Sequence, residues 1–240
     1  ATGNHQGGEI DFLRVTKRYT ISKENALLTI DYEFENLPEA MAKVNYAILI
    51  HNNLGLLDEP CSYFIPSKEG IKVVRPEKRP QDLWTYHPAR GWMAAAAKSG
   101  RGIAVTMSYP ELSAFYNWFS TDLVPTMEWR MVPIGIESGK KYQTQVTMIP
   151  FTGICEVAGA GGGLVGEIAV SKKDPEPGEK VGIEVKVYNA RKGKIEAELK
   201  MRHAPSGPWE GLQKAELEYS RPGMVQNFHS ELTSDTEELI

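Results

Sequence analysis

The feature that most constrains this chain is alternation: along many short segments, apolar and polar residues trade places at every step. In residues 29–35, Ile30, Tyr32 and Phe34 fall on one side, and Asp31, Glu33 and Glu35 on the other. A period of two marks a strand with one buried and one wet face. Val44, Tyr46, Ile48 and Ile50 read as a second such face. Ile103, Val105 and Met107 form a third, and Met127, Trp129 and Met131 a fourth. Tyr142, Thr144, Val146 and Met148 form a fifth. Asn36-Leu37-Pro38, Ser99-Gly100 and Ser138-Gly139 supply turns between them. No segment carries a helical period. Residues 92–98 have helix-forming composition, but they are short and lie between Gly91 and Gly100, so a strand fits them equally well. Residues 76–84 read as a long loop. The expected fold class is all-β.

Composition shifts sharply at Ala158-Gly159-Ala160-Gly161-Gly162-Gly163. Such a run reads as a linker, with a tight crossing between strands as the alternative. Beyond it come short strands at even spacing. Val181, Ile183, Val185 and Val187 alternate with polar residues, as do Ile195, Ala197, Leu199 and Met201, and then Ala215, Leu217 and Tyr219. This is the cadence of a small immunoglobulin-like or fibronectin-like sandwich. Two domains are therefore expected, at 1–157 and 165–240. The sequence stops at Leu239-Ile240 inside what reads as another strand, so the second domain is expected to be truncated, with further domains of the same polypeptide beyond Ile240.

Charge and composition narrow the partners. With 27 basic and 31 acidic residues well mixed, no Lys/Arg block exists to hold a phosphate backbone, so no nucleic-acid partner is expected. The longest apolar stretches, residues 46–50 and 93–97, fall far short of the roughly 20 residues that span a bilayer, so no membrane insertion is expected. Cys61 and Cys155 fit no zinc or redox spacing. They read as small buried or half-buried residues, with one disulfide as the alternative in an exported protein. Gly161-Gly162-Gly163 is followed by neither Lys-Ser/Thr nor a helix, so it is no phosphate loop, and no cofactor is expected. No Ser sits in a nucleophile elbow. His51, His87 and His203 lack the spacing of a metal site. The acidic pair Asp58 and Glu59 is the one place suited to an oxygen-bound cation.

One stretch brings a family to mind. Leu27-Leu28-Thr29-Ile30-Asp31-Tyr32-Glu33-Phe34-Glu35-Asn36 leads through a turn to Val44-Asn45-Tyr46-Ala47-Ile48-Leu49-Ile50-His51-Asn52-Asn53-Leu54. Later come Pro125-Thr126-Met127-Glu128-Trp129, a Ser138-Gly139 turn, and a closing strand ending in Pro150-Phe151. This order resembles the central part of galactose-mutarotase-like supersandwich domains, in which a strand ends in a His and a late strand carries a Glu. The resemblance is one of pattern and covers about residues 10–155. It implies an antiparallel supersandwich, a sugar ligand, and His51 and Glu128 as an acid/base pair at one site. The family's additional upstream His has no counterpart except His5, and Asn52 stands where an aromatic usually follows the strand His.

The residues themselves point the same way. A His on a polar strand face titrates near neutral pH and can serve as a general acid. Glu128 shares a face with Thr126 and Arg130, and a carboxylate there can accept a sugar hydroxyl; the plain alternative is a surface ion pair with Arg130. Phe115-Tyr116-Asn117-Trp118-Phe119 is the richest aromatic cluster. Sugars offer flat C–H faces that stack on rings, so Tyr116 and Trp118, with Asn117 for paired hydroxyls, are candidate ligand contacts. Alternation would instead turn Asn117 inward with Phe115. Tyr86-His87-Pro88-Ala89-Arg90-Gly91-Trp92 combines ring, imidazole and guanidinium groups on a loop, which makes His87, Arg90 and Trp92 further candidates, with Trp92 as a core plug the alternative. Three functions follow. The favoured one is a carbohydrate-recognition module of a carbohydrate-active or cell-surface protein, extracellular or periplasmic, because the family site is incomplete. The others are a mutarotase- or lyase-like enzyme using His51 and Glu128, and a purely structural sandwich.

Overall fold

A computed structural model describes residues 3–5, 8–10, 12–40, 42–53, 60–75, 81–119, 126–176, 178–201 and 207–233. Asp58, Glu59 and His203 lie outside the described residues. The first half carries β1 (Gly3–His5), β2 (Gly8–Ile10), β3 (Leu13–Ile21), β4 (Leu28–Asn36), β5 (Val44–Tyr46), β6 (Leu49–Asn53), β7 (Cys61–Ser67) and β8 (Gly70–Val74). It continues with β9 (Gln81–Tyr86), β10 (Trp92–Ala97), β11 (Gly102–Met107), β12 (Leu112–Phe119), β13 (Thr126–Met131), β14 (Ile134–Ile136) and β15 (Lys141–Phe151). The remainder is β16 (Gly159–Gly161), β17 (Leu164–Val170), β18 (Lys180–Asn189), β19 (Gly193–Met201), β20 (Glu210–Tyr219) and β21 (Met224–Thr233). The chain is all-β among the described residues, apart from two single turns of 3-10 helix at Pro38–Ala40 and Tyr109–Glu111.

Two large antiparallel sheets dominate the first half, beside the two-stranded pairs β1-β2 and β14-β5. Seven strands run in the order β3-β4-β15-β11-β10-β7-β8, and four in the order β6-β13-β12-β9. The inward residues of both meet in one core: Ile30, Tyr32, Phe34, Met93 and Val105 from the large sheet, and Ile50, Phe115, Met127 and Trp129 from the small one. Each such side chain contributes about 1.5–3 kcal/mol by leaving water.

Three expectations need correcting. Residues 44–50 are two strands: β5 pairs with β14 and β6 with β13, so the chain changes sheets at Ala47-Ile48. Both strands still turn their apolar residues inward, which is why they read as one. The corner is pinned by buried Asn36, whose Nδ2 donates to the carbonyls of Ala42 and Ile136 at 2.9 Å and whose Oδ1 accepts from the Tyr46 hydroxyl. The supposed loop ends early, because Gln81–Tyr86 is a strand on the edge of the small sheet. The glycine run is a hairpin. Gly159–Gly161 pairs with β17, and Gly162 and Gly163 make the two-residue turn with φ of 59° and 88°. Positive φ at both central positions is the turn that matches strand twist, and glycine adopts it without strain.

Residues 92–97 are a strand, and all of them are buried. Met93 and Ala95 face the inter-sheet core, while Trp92, Ala94 and Ala96 face a second one. A strand covered on both sides loses its alternation, which explains the ambiguous reading. The second core joins Phe64, Trp92, Ala104, Ile149 and Phe151 of the large sheet to Val165, Tyr188 and Ala190. Nearby, the Glu167 carboxylate accepts from the backbone N–H groups of Cys155 and Glu156 and from Lys186 Nζ. A third, smaller core of Ile183, Val185 and Leu199 lies between the β16-β17-β18-β21 sheet and the β19-β20 hairpin. The three cores thus lie between the two sheets of the first half, across the stretch 157–165, and among the last strands.

Cys61 and Cys155 are both free, so the alternative of a disulfide is not realised. Burial pushes the Cys61 thiol up to about 11. The second core yields a direct expectation. Trp92→Ala should cost about 3–5 kcal/mol in urea denaturation, because it empties a closed core. A loss under about 1 kcal/mol, the size of an ordinary surface substitution, would mean that the two layers do not close over this ring.

Candidate functional site

The small sheet has a second face, turned away from the core. The register fixes who stands on it. Glu128 pairs with His51 on one side and Tyr116 on the other, and Tyr116 pairs with Trp84. Directly paired residues share a face, so His51, Glu128, Tyr116 and Trp84 form one row across four strands. The next row toward the β9 end runs Leu49, Arg130, Ala114 and Tyr86. The row on the other side contains Thr126 on β13, and Trp118 paired with Asp82.

His51 and Glu128 are in contact. The imidazole Nδ1 lies 2.8 Å from Glu128 Oε1; the His side chain is 57% exposed, the Glu side chain 4%. A hydrogen bond there puts the proton on Nδ1 and leaves Nε2 as the lone pair of the neutral ring. The same Oε1 accepts from the Thr126 hydroxyl at 2.9 Å. That hydroxyl in turn accepts from the Trp118 backbone N–H at 2.9 Å. The Thr126 side chain therefore takes the place of a ladder partner at the point where the β12–β13 register ends. The Thr126 carbonyl is taken by Tyr63 Oη–H and Asn117 Nδ2.

Beside this pair lies an aromatic surface. The Trp84 and Tyr86 rings stack at 5.5 Å, and Trp84 and Tyr116 meet at 4.4 Å. Trp118 is 39% exposed and Tyr86 is also open. The Tyr116 hydroxyl donates to Asp82. Burial first, then the bond to Asp82 and the charges of Asp82 and Glu128, push the Tyr116 ionisation well above its usual range, so the phenol stays protonated.

Of the residues singled out in the sequence, His51, Glu128, Tyr116, Trp118 and Arg130 share this face. His87 follows β9 at φ 49° and donates its N–H to the Ser113 carbonyl, at the Tyr86 end of the face. Arg90 is exposed on the loop beyond. Two candidates are turned away. Trp92 fills the second core. Asn117 is 1% exposed on the inner side of β12, where its Nδ2 also approaches Met93 Sδ and its Oδ1 has no hydrogen-bond partner. Alternation forces this, since Phe115 inward carries Asn117 inward too. Asp82 and Trp84 were missed because their segment read as loop. The signal was present: Asp82, Trp84 and Tyr86 alternate with Leu83 and Thr85.

An open groove of about 510 Å³ lies elsewhere, on the far face of the large sheet, lined by Thr16, Arg18, Asp31, Glu33, Gln143 and Gln145. Its carboxylates are already engaged: Glu33 by Lys141 and Gln143, and Asp31 by Gln145. Its one ring, Tyr32, is buried in the core.

Neither a family model nor a curated protein matches the chain. Solved structures of similar shape include a protein of Synechocystis sp. PCC 6803, at 11% identity and TM-score 0.44, covering 57% of this chain and 54% of that one. Another is a protein of Klebsiella pneumoniae subsp. pneumoniae MGH 78578 provisionally assigned as an aldose 1-epimerase, at 13% identity and TM-score 0.45, covering 62% and 48%. A polysaccharide lyase matches at 12% identity and TM-score 0.37, covering 92% of this chain and 32% of its own. The chain thus spans about half the length of the first two and a third of the lyase. At these scores no residue role carries over, and the face is read from its own geometry.

Thr126 offers a test of that geometry. Thr126→Val removes a donor from a buried carboxylate and an acceptor from the Trp118 N–H, so it should cost about 1–3 kcal/mol in urea denaturation. Thr126→Ser should restore most of the loss. Equal stability of the Val and Ser proteins would show that the hydroxyl bridges nothing.

Proposed function

We propose that the outer face of the small sheet binds carbohydrate. The observation that carries this reading is the union, on one face, of four aromatic rings with a hydrogen-bonded imidazole–carboxylate pair. Flat rings take the C–H faces of a sugar, and a few placed polar groups take its hydroxyls. Trp84, Tyr86, Tyr116 and Trp118 supply the rings on β9 and β12, and His51, Glu128 and Asp82 the polar groups. Glu128 is an acceptor, and its burial costs least when a sugar hydroxyl or His51 satisfies it. On this reading the C-terminal sheets form an immunoglobulin-like unit that backs the large sheet and leaves the binding face open.

A second reading has its own support. The 2.8 Å contact between His51 and Glu128 sets the imidazole tautomer, and the exposed ring can then give or take a proton at Nε2. That is the working part of a carbohydrate-active enzyme with acid/base chemistry. The recognition reading needs saccharide binding alone, whereas the catalytic reading also needs turnover that vanishes in His51→Ala.

Trp118 is the residue to remove. Trp118→Ala should weaken oligosaccharide binding by roughly ten- to hundredfold, the scale of one lost stacking contact. Its thermal midpoint should fall far less than that of a core tryptophan variant, because the ring is partly exposed. Unchanged affinity, or no saccharide bound by the unmodified chain, would leave the structural-module reading in its place.

A further inference from the structure

We propose that the saccharide taken by this face is cationic: an amino sugar with a free, protonated amine. The inference rests on the carbohydrate reading above and concerns what that face selects.

The two carboxylates of the face differ: Glu128 is buried and paired with His51, whereas Asp82 is exposed. Two carboxylates, Asp82 and Glu128, lie against one phenol. Tyr116 donates to Asp82, and the charge of Glu128 also bears on its hydroxyl. Asp82 is exposed and is a pure acceptor when ionised. On the same sheet face stand the rings of Trp84, Tyr116 and Trp118, whose negative π-surfaces attract a cation placed over them. An ammonium group entering here meets carboxylate and ring together, the combination that best replaces its water.

Among the described residues, the basic groups of this face stand nearer Glu128 than Asp82. Arg130 sits on β13, in the row of Tyr86. Asp82 sits on β9, in the row of Trp118. Two strand spacings and two row spacings separate them, about 10 Å one way and about 14 Å the other. His51, on the far edge strand, is paired with Glu128 at 2.8 Å, which leaves Asp82 as the exposed carboxylate an ammonium group would meet. A uronate would instead bring a carboxylate toward Asp82, where like charges repel. A neutral sugar would satisfy the acceptors but gain nothing from the rings' charge preference.

Calorimetric titration of the full chain decides the matter. The probes are oligomers of equal length and linkage built from glucosamine, N-acetylglucosamine, glucose and a uronic acid, under mildly acidic conditions that keep the amines charged. The glucosamine oligomer should bind at least about tenfold tighter than its acetylated counterpart. Added salt should shrink that ratio, since the corner is open to solvent. Asp82→Asn should reduce it to about threefold or less. Equal binding of the amine and acetyl forms, or tightest binding of the uronate, would overturn this inference while leaving the carbohydrate reading intact. No binding of any oligomer would overturn both.

Discussion

Trp129 lies between the two sheets at 1% exposure, and what it fixes reaches well beyond its own packing. With Trp129 and Met127 inward, Glu128 has to emerge on the other side of β13. Ile50 and Phe115 do the same for their neighbours, so His51 and Tyr116 must emerge beside Glu128. A slip of one residue in any strand would send its polar member into the core and its apolar member into water. The outer row of His51, Glu128, Tyr116 and Trp84 is therefore a consequence of the inner row of side chains.

The outer row contains one unusual member. Glu128 is buried although it points away from the core. A buried carboxylate is costly without partners, and here His51 and the Thr126 hydroxyl both reach the same oxygen. The Thr126 hydroxyl does this while receiving the N–H of Trp118. Through it the acid on β13 and the ring-bearing backbone of β12 are tied to one atom. Part of the large sheet has no such freedom, because Trp92, Ala94 and Ala96 are closed under Val165 and Tyr188, while its β3-β4-β15 part carries the open polar groove.

Much of this was legible in the amino-acid sequence. Where one face is wet, as in Ile30-Asp31-Tyr32-Glu33-Phe34-Glu35, alternation named both strand and inward side correctly. It did less well wherever a second layer or a change of sheet intervened. The alanine strand is covered on both sides, so its period vanished. Residues 44–50 keep their inward pattern across a corner, so two strands looked like one. The glycine run looked like a linker because a positive-φ hairpin and a flexible hinge demand the same residue. Of the site, His51, Glu128, Tyr116 and Trp118 were visible on their polar faces. Asp82 and Trp84 were hidden by the prolines and charges that precede them. Asn117 was the opposite case, a polar residue that packing turns inward to hold the end of β13.

The central proposal is that the outer face of the small sheet receives a saccharide. The most direct measurement is an NMR titration of the full chain with a binding oligosaccharide, following the indole N–H signals of Trp84, Trp92, Trp118 and Trp129 and the backbone amides. The account predicts shifts at Trp84 and Trp118 and along β9, β12 and β13, with Trp92 and the Asp31–Gln143 groove unmoved. Shifts confined to that groove or to β18 and β21, with Trp84 and Trp118 silent, would contradict it.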